Sequence, residues 1–157
     1  MTAREIYEVL REKFGEEVVT EFQEENVDPP AVVVATEKVA EVLTFLRDDP
    51  RTLFDSLMCL SGVDYEDRME VVYHLHSMTH LHKVTVKVRT DRENPKVPTV
   101  EKVYPVASFH EREAYDLLGI VFEGHSDLRR ILLPEDWPGH PLRKDYVYPD
   151  SYHGIKV

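Results

Sequence analysis

The sequence predicts an α+β fold: a mixed sheet with helices packed on one face, followed by an extended, irregular C-terminal docking segment. Three observations carry this. A capped helix is followed by a strand–helix unit from Ala31 to Asp48. Two alternating runs, Met69–His76 and His82–Arg89, are spaced as a hairpin. From Gly119 onward proline and glycine recur too often for regular structure. We therefore expect an α+β body over residues 1–118 and an arm over 119–157, together one domain.

The first helix begins at Thr2, which with Glu5 forms a capping box. Ile6, Val9, Leu10 and Phe14 share one face, and Gly15 ends it. Glu17 to Gln23 mixes valine, threonine and phenylalanine, as strands do. A turn at Asp28-Pro29-Pro30 leads into the β-branched run Ala31–Ala35, a buried strand. Thr36 reads as the N-cap of a helix with Val39, Val42, Leu43 and Leu46 on its apolar face, stopped by Asp48-Asp49-Pro50. Leu53 to Leu60 fits a short helix or a strand, and Gly62 to Tyr65 restarts the sheet. In the hairpin, Val84, Val86 and Val88 alternate with Lys87 and Arg89, giving one buried and one wet face. Asp91 to Pro98 reads as a polar loop. Val100–Val106 and then Ala107–Leu118 read as helical, ending at Gly119. A tail so rich in proline and glycine builds no core of its own and must lie on something.

At 157 residues and 18.3 kDa the chain is one ordinary domain, able to bury roughly 70% of its unfolded surface. It has 30 acidic and 19 basic residues, a net charge of −11, which argues against nucleic acid and anionic lipid as partners. The single Cys59 excludes an internal disulfide, and excludes a cysteine-based zinc site or iron–sulfur cluster held by this chain alone. No apolar run approaches the roughly 18 residues of a membrane span. Met1–Glu5 lacks the pattern of a signal peptide. The expectation is a soluble, cytosolic chain.

Four histidines, His74, His76, His80 and His82, lie around the hairpin and suggest an imidazole metal site. No carboxylate or cysteine sits at ligand spacing beside them, so a wet sheet edge or a partner contact is the competing reading. Ser61 lacks a nucleophile elbow, Cys59 sits in an apolar run, and the glycines form no phosphate loop. The dense stretch is Phe109 to Tyr146. Glu111, Arg112 and Asp116 crowd two helical turns, and Arg112 and Asp116 are spaced to pair. Beyond them come Arg129, Arg130, Trp137, Arg143, Lys144, Asp145 and Tyr146, an irregular strip of the residue types that anchor protein interfaces.

This stretch resembles the signature of the 30 kDa subunit of respiratory complex I, the proton-translocating NADH:quinone oxidoreductase. The matching pieces are EREAYDLLGI at Glu111–Ile120, GHSDLRRILLPEDW at Gly124–Trp137 and GHPLRKDY at Gly139–Tyr146. FDSLMCLSGVDY at Phe54–Tyr65 agrees more loosely. Ser126 stands where the family usually has proline, and His110 where an aromatic or leucine is common. The resemblance implies a peripheral-arm protein on the cytoplasmic side of the membrane. Its implied partners are the large, hydrogenase-like subunit and the subunit that carries the last iron–sulfur cluster before quinone. It implies no flavin, cluster or quinone on this chain; FMN, iron–sulfur clusters and quinone belong to partner subunits. The implied role is assembly and stability of the quinone-reducing module. Arg129, Arg130, Arg143 and Lys144 would meet carboxylates of a neighbour, Trp137, Asp145 and Tyr146 would complete the interface, and Glu111, Arg112 and Asp116 would fix the arm by internal pairing. Related energy-converting hydrogenases, coenzyme-F420 dehydrogenases and ferredoxin-dependent complexes carry an equivalent protein, and the residues do not choose the electron donor. A small stand-alone histidine metalloprotein is the reading from a different class.

Overall fold

A computed structural model describes residues 1–25 and 28–156. Helix α1 spans Ala3–Phe14. The Glu5 N–H donates to the Thr2 hydroxyl at 3.2 Å and the Thr2 N–H donates to the Glu5 carboxylate at 2.7 Å, so the capping box forms. Ile6 and Leu10 are fully buried. Strand β1 (Val19–Gln23) pairs antiparallel with β2 (Ala31–Val34), all four of whose residues are buried.

Helix α2 covers Val39–Asp48, but Thr36 does not cap it. A single tight turn over Thr36–Lys38 moves the helix N-cap two residues on, to Lys38, and the Thr36 hydroxyl donates to the Arg89 carbonyl at 2.6 Å. The segment Leu53–Leu60, open between helix and strand, and the expected sheet at Gly62–Tyr65 merge into one strand, β3 (Ser56–Asp64). A meander follows through β4 (Met69–His76) and β5 (Lys83–Thr90). The sheet order is β1-β2-β5-β4-β3, with β2 and β5 parallel and the other pairs antiparallel.

Register fixes the faces, because directly opposed residues share one. Leu60, Tyr73, Val86, Val32 and Phe22 line up on the helix-bearing face, as do Gly62, Val71 and Val88. Ile6, Leu10, Val42, Leu43 and Leu46 from the helices join this core. The opposite face carries Ser61, Val72, Lys87, Val33 and Glu21 in register. It also carries an ion-pair network of Arg68, Arg89, Glu70 and Glu21.

The expected loop Asp91–Pro98 ends in a short strand, β6 (Lys96–Pro98), and the expected helical run Val100–Val106 is only a pair of turns. The Val100 carbonyl accepts the N–H groups of Val103 and Tyr104. Pro105 then disfavours the helical conformation of the residue before it. Helix α3 starts afresh at Ala107 and runs to Leu118, with Gly119 at φ +78° as its left-handed C-cap. Strand β7 (Val121–Glu123) returns to pair in parallel with β6, so the chain after Gly119 opens with a short strand laid on the body. Its far end holds a small hairpin, β8 (Ser151–Tyr152) with β9 (Ile155–Lys156); Val157, the last residue of the expected arm, lies outside the described residues.

Candidate functional site

Helix α3 is unusual in burying Glu111, Arg112 and Asp116 as well as Ala107, Ala114 and Leu118. Its apolar side sits on β3. A methyl group added at Gly62 would lie 2.6 Å from Leu118 Cδ1 and 2.9 Å from Ile120 Cδ1, so glycine lets the helix approach this closely. Its charged residues point elsewhere, and each finds partners.

Asp116 is fully buried and organises the arm. One carboxylate oxygen accepts the N–H groups of Ile131, Leu132 and Leu133 at 3.0, 2.7 and 2.9 Å. The other accepts Arg130 Nη1 at 2.8 Å. Burial pushes this carboxyl up, but the Leu133 N–H, the Arg130 guanidinium and the other two amides outweigh it, holding it below the usual aspartate range. The Arg112–Asp116 ion pair expected from spacing does not form. Arg112 instead donates to the carbonyls of Arg129 and Arg130, both at 3.3 Å. The physical reason is competition: three amides and an arginine converge on Asp116, and arginine ahead of aspartate is the weaker helical order.

Glu111 is fully buried and pairs with no arginine; it ties α3 to the turn after β6. Its carboxylate accepts the Thr99 hydroxyl at 2.5 Å and the Val100 N–H at 2.7 Å. His125 Nε2 stands 3.8 Å from it, and His125 Nδ1 accepts the Asp127 N–H at 2.9 Å. That leaves Nε2 to donate to the Ser108 carbonyl at 3.1 Å. Burial raises the Glu111 pKa above its ordinary 4.5, against the opposing hydrogen bonds from Thr99 and Val100. A raised carboxyl pKa keeps its full benefit below the unfolded value and loses it as pH rises through the folded one. The stability advantage of the wild type over Glu111→Gln should therefore shrink from pH about 4.5 upward. Urea midpoints of both proteins between about pH 4 and pH 8 check this sign.

The distal arm is fastened at Asp64, which ends β3. Arg92 Nε and Nη2 reach its two oxygens at 2.8 and 3.1 Å, and the Lys144 N–H donates to it at 2.8 Å. Arg143 donates to the Arg92 carbonyl at 2.8 Å, and Asp145 meets Arg92 at 2.9 Å. Between the two anchors, His140 Nδ1 donates to the Asp116 carbonyl at 2.9 Å and the Leu142 N–H to the Leu117 carbonyl at 2.9 Å. Trp137 Nε1 donates to the Tyr146 hydroxyl at 3.0 Å, and that hydroxyl donates to the Pro138 carbonyl at 2.9 Å. Arg130 Nη2 donates to the carbonyls of Trp137 and Gly139.

Thus Arg130, Arg143, Trp137, Asp145 and Tyr146, read from sequence as contacts to a neighbour, are engaged with the chain's own body or arm. Among the described residues Arg129 pairs only with its exposed neighbour Asp127, and the Lys144 side chain is exposed. Leu132 and Leu142 are among the arm's outward apolar groups, 61% and 60% exposed, and Val147, Tyr148 and Ile155 are exposed farther along it. Asp64, Arg92, His125 and His140 escaped the sequence reading of the site because their partners lie far off in sequence. His80 and His82 pack ring to ring with centroids 5.4 Å apart, but each is committed to the backbone: buried His82 donates to the Thr52 carbonyl at 2.7 Å and His80 bonds the Pro50 carbonyl at 3.0 Å, while His74 meets Thr85. Among the described residues no group of three histidine, cysteine or carboxylate side chains is placed to hold a metal ion.

Residues 32–152 match the family described as respiratory-chain NADH dehydrogenase, 30 kDa subunit. The chain belongs to this family. The corresponding NADH-quinone oxidoreductase subunit of Chloroherpeton thalassium is 49% identical over 153 residues, covering 96% of this chain and 63% of the relative. That of Chlorobium phaeobacteroides is 48% identical over 154 residues, covering 96% and 92%. The trypsin-resistant fragment (1–134) of Nqo5 superimposes with a TM-score of 0.65 at 31% identity, over 77% of this chain and 97% of the fragment. One protein of the membrane-bound sulfane sulfur reductase, an archaeal respiratory membrane complex, gives 0.74 at 26% identity over 92% and 85%. The 30 kDa subunit match spans most of the arm, from β7 through Asp145 and Tyr146, so both anchors, with β3 and α3 that carry them, fall within the matched range.

Proposed function

We infer that the chain is a peripheral-arm component of a proton-translocating NADH:quinone oxidoreductase and supports assembly and stability of the quinone-reducing module. The observation that carries this is the arm itself. A segment with little regular structure is held on the body by two buried carboxylates, Asp116 and Asp64, and turns Leu132, Arg129 and Lys144 outward. Such a surface is preorganised for a partner, because the ordering entropy is met by internal bonds before binding. The partners of this reading are the large, hydrogenase-like subunit and the cluster-bearing one. Flavin, clusters and quinone sit on partner chains, since one cysteine cannot supply a cluster's thiolates. No described helix is long and apolar enough to cross a membrane; attachment on the cytoplasmic side runs through the partners.

A second reading places the chain in a related complex with another electron donor, favoured by its likeness to the sulfane sulfur reductase protein. The identity of 48–49% to the two NADH-quinone oxidoreductase relatives favours the first.

Leu132→Asp tests the arm's role. Leu132 is exposed, so the isolated chain should melt unchanged. Loss of a central apolar contact costs about 2 kcal/mol, a fall of roughly 30-fold in affinity for the complex. Native gels of the assembled oxidoreductase read the outcome, and full assembly with Leu132→Asp would remove the arm from the interface.

A further inference from the structure

Strand β3 lies at one edge of the main sheet. Sheet edges are normally blunted by lysine, proline, shortness or a bulge. The opposite edge, β1, is five residues long with an irregular register. By contrast β3 is nine residues long, and SLMCLSGVD contains no basic residue and no proline. Its one irregularity lies between Leu57 and Cys59, and the pairing from Cys59 to Asp64 is regular.

The direction of its backbone groups follows from the register. The Tyr65 N–H donates to the Arg68 carbonyl at 2.9 Å. Bonded pairs alternate along an antiparallel ladder, so Val63–Glu70, Ser61–Val72 and Cys59–His74 are the bonded ones. The N–H and C=O groups of Leu60 and Gly62 therefore point away from β4. On that side a groove of about 330 Å³ runs between Cys59–Gly62 and the flank of α3. Successive strand side chains leave on opposite faces, so a groove touching all four of these residues must follow the backbone edge. Its other wall includes Glu113, Leu117 and Leu142. Glu113 is exposed and has no cationic partner among the described residues.

We propose that this edge accepts an extended segment of a partner protein as a sixth strand. The segment is apolar toward Leu117 and Leu142 and carries a lysine or arginine opposite Glu113. Main-chain hydrogen bonds to Leu60 and Gly62 supply the hold, and the groove selects the side chains. This contact adjoins the arm at Leu142 but lies apart from Leu132 and Arg129, and it explains why an unguarded edge is kept on a chain whose other edge is short and irregular.

Residue-resolved hydrogen exchange of the free chain and of the assembled oxidoreductase tests it. In the free chain the amides of Leu60 and Gly62 should exchange fast, while Cys59, Ser61 and Val63, bonded to β4, exchange slowly. In the complex Leu60 and Gly62 should slow by about 100-fold or more, leaving the other three unchanged. Glu113→Lys, at an exposed position, should keep the free chain's exchange pattern and lose that protection in the complex. The proposal is overturned if Leu60 and Gly62 remain fast in the complex, if they are already slow in the free chain, or if all five amides slow together, the mark of a covering surface rather than an added strand.

Discussion

Replacing Asp116 by alanine is expected to release the segment around Ile131–Leu133 from α3 while the sheet stays folded. The side chain is fully buried and gathers three amides and one guanidinium. Removing one partner of a buried ion pair costs about 3–5 kcal/mol in typical cases. Arg130 keeps the carbonyls of Trp137 and Gly139 as acceptors, so the cost here should fall at the low end, about 3 kcal/mol. Fast exchange of the three amides, and tryptic cleavage after Arg129 and Arg130, would report the release. Asp116→Asn should cost less, because its amide oxygen still accepts. The pH dependence separates charge from shape. The folded pKa of Asp116 lies below its unfolded value, so its stabilisation is complete above about pH 4 and is lost as pH falls through the folded pKa. The wild-type arm should loosen in acid, and Asp116→Asn should lack that transition. Unchanged protection of Ile131, Leu132 and Leu133 in Asp116→Ala would overturn the anchor.

What sequence revealed, and what it did not, divides by distance along the chain. The capping box at Thr2 and Glu5, the end of α3 at Gly119 and the Met69–Arg89 hairpin all depend on residues close to one another in sequence, and all stand in the structure. Pairing β2 parallel to β5 joins residues far apart in the chain, such as Val32 and Val86, and no local pattern encodes it. The single strand β3 was obscured because its irregular register breaks strict alternation at Met58. The same limit governs the site. Charge density marked Glu111, Arg112 and Asp116 as the base of the arm, yet spacing alone paired Arg112 with Asp116, where the structure gives Asp116 to Arg130 and the backbone of residues 131–133. Arginines in an irregular strip read as interface residues. Arg130 and Arg143 instead hold the strip itself, since loop backbone carbonyls need donors wherever the chain forms no ladder.

Replacing Asp64 by alanine should have the second large effect, at the other end of the arm. Asp64 is buried and binds Arg92 through both oxygens while accepting the Lys144 N–H. The Arg92 guanidinium holds its carboxyl below the ordinary aspartate range. Without it Arg92 retains Asp145, which is exposed and gives a weak, screened pair. The expected loss is about 3 kcal/mol, measured by urea unfolding and by exchange at Lys144. The more telling consequence concerns assembly. Each anchor raises the effective concentration of the other end of the arm at its docking site, so Asp64→Ala combined with Asp116→Ala should free residues 129–146 as a unit where either change frees only its own end. Affinity for a partner falls by the fraction of chains with the arm in place. Asp64 lies under the arm rather than on its outward face, yet its loss should lower incorporation into the oxidoreductase in step with the undocked fraction. A chain with its arm demonstrably released that still assembles at the wild-type level would show that the partner, and not the body, orders this segment.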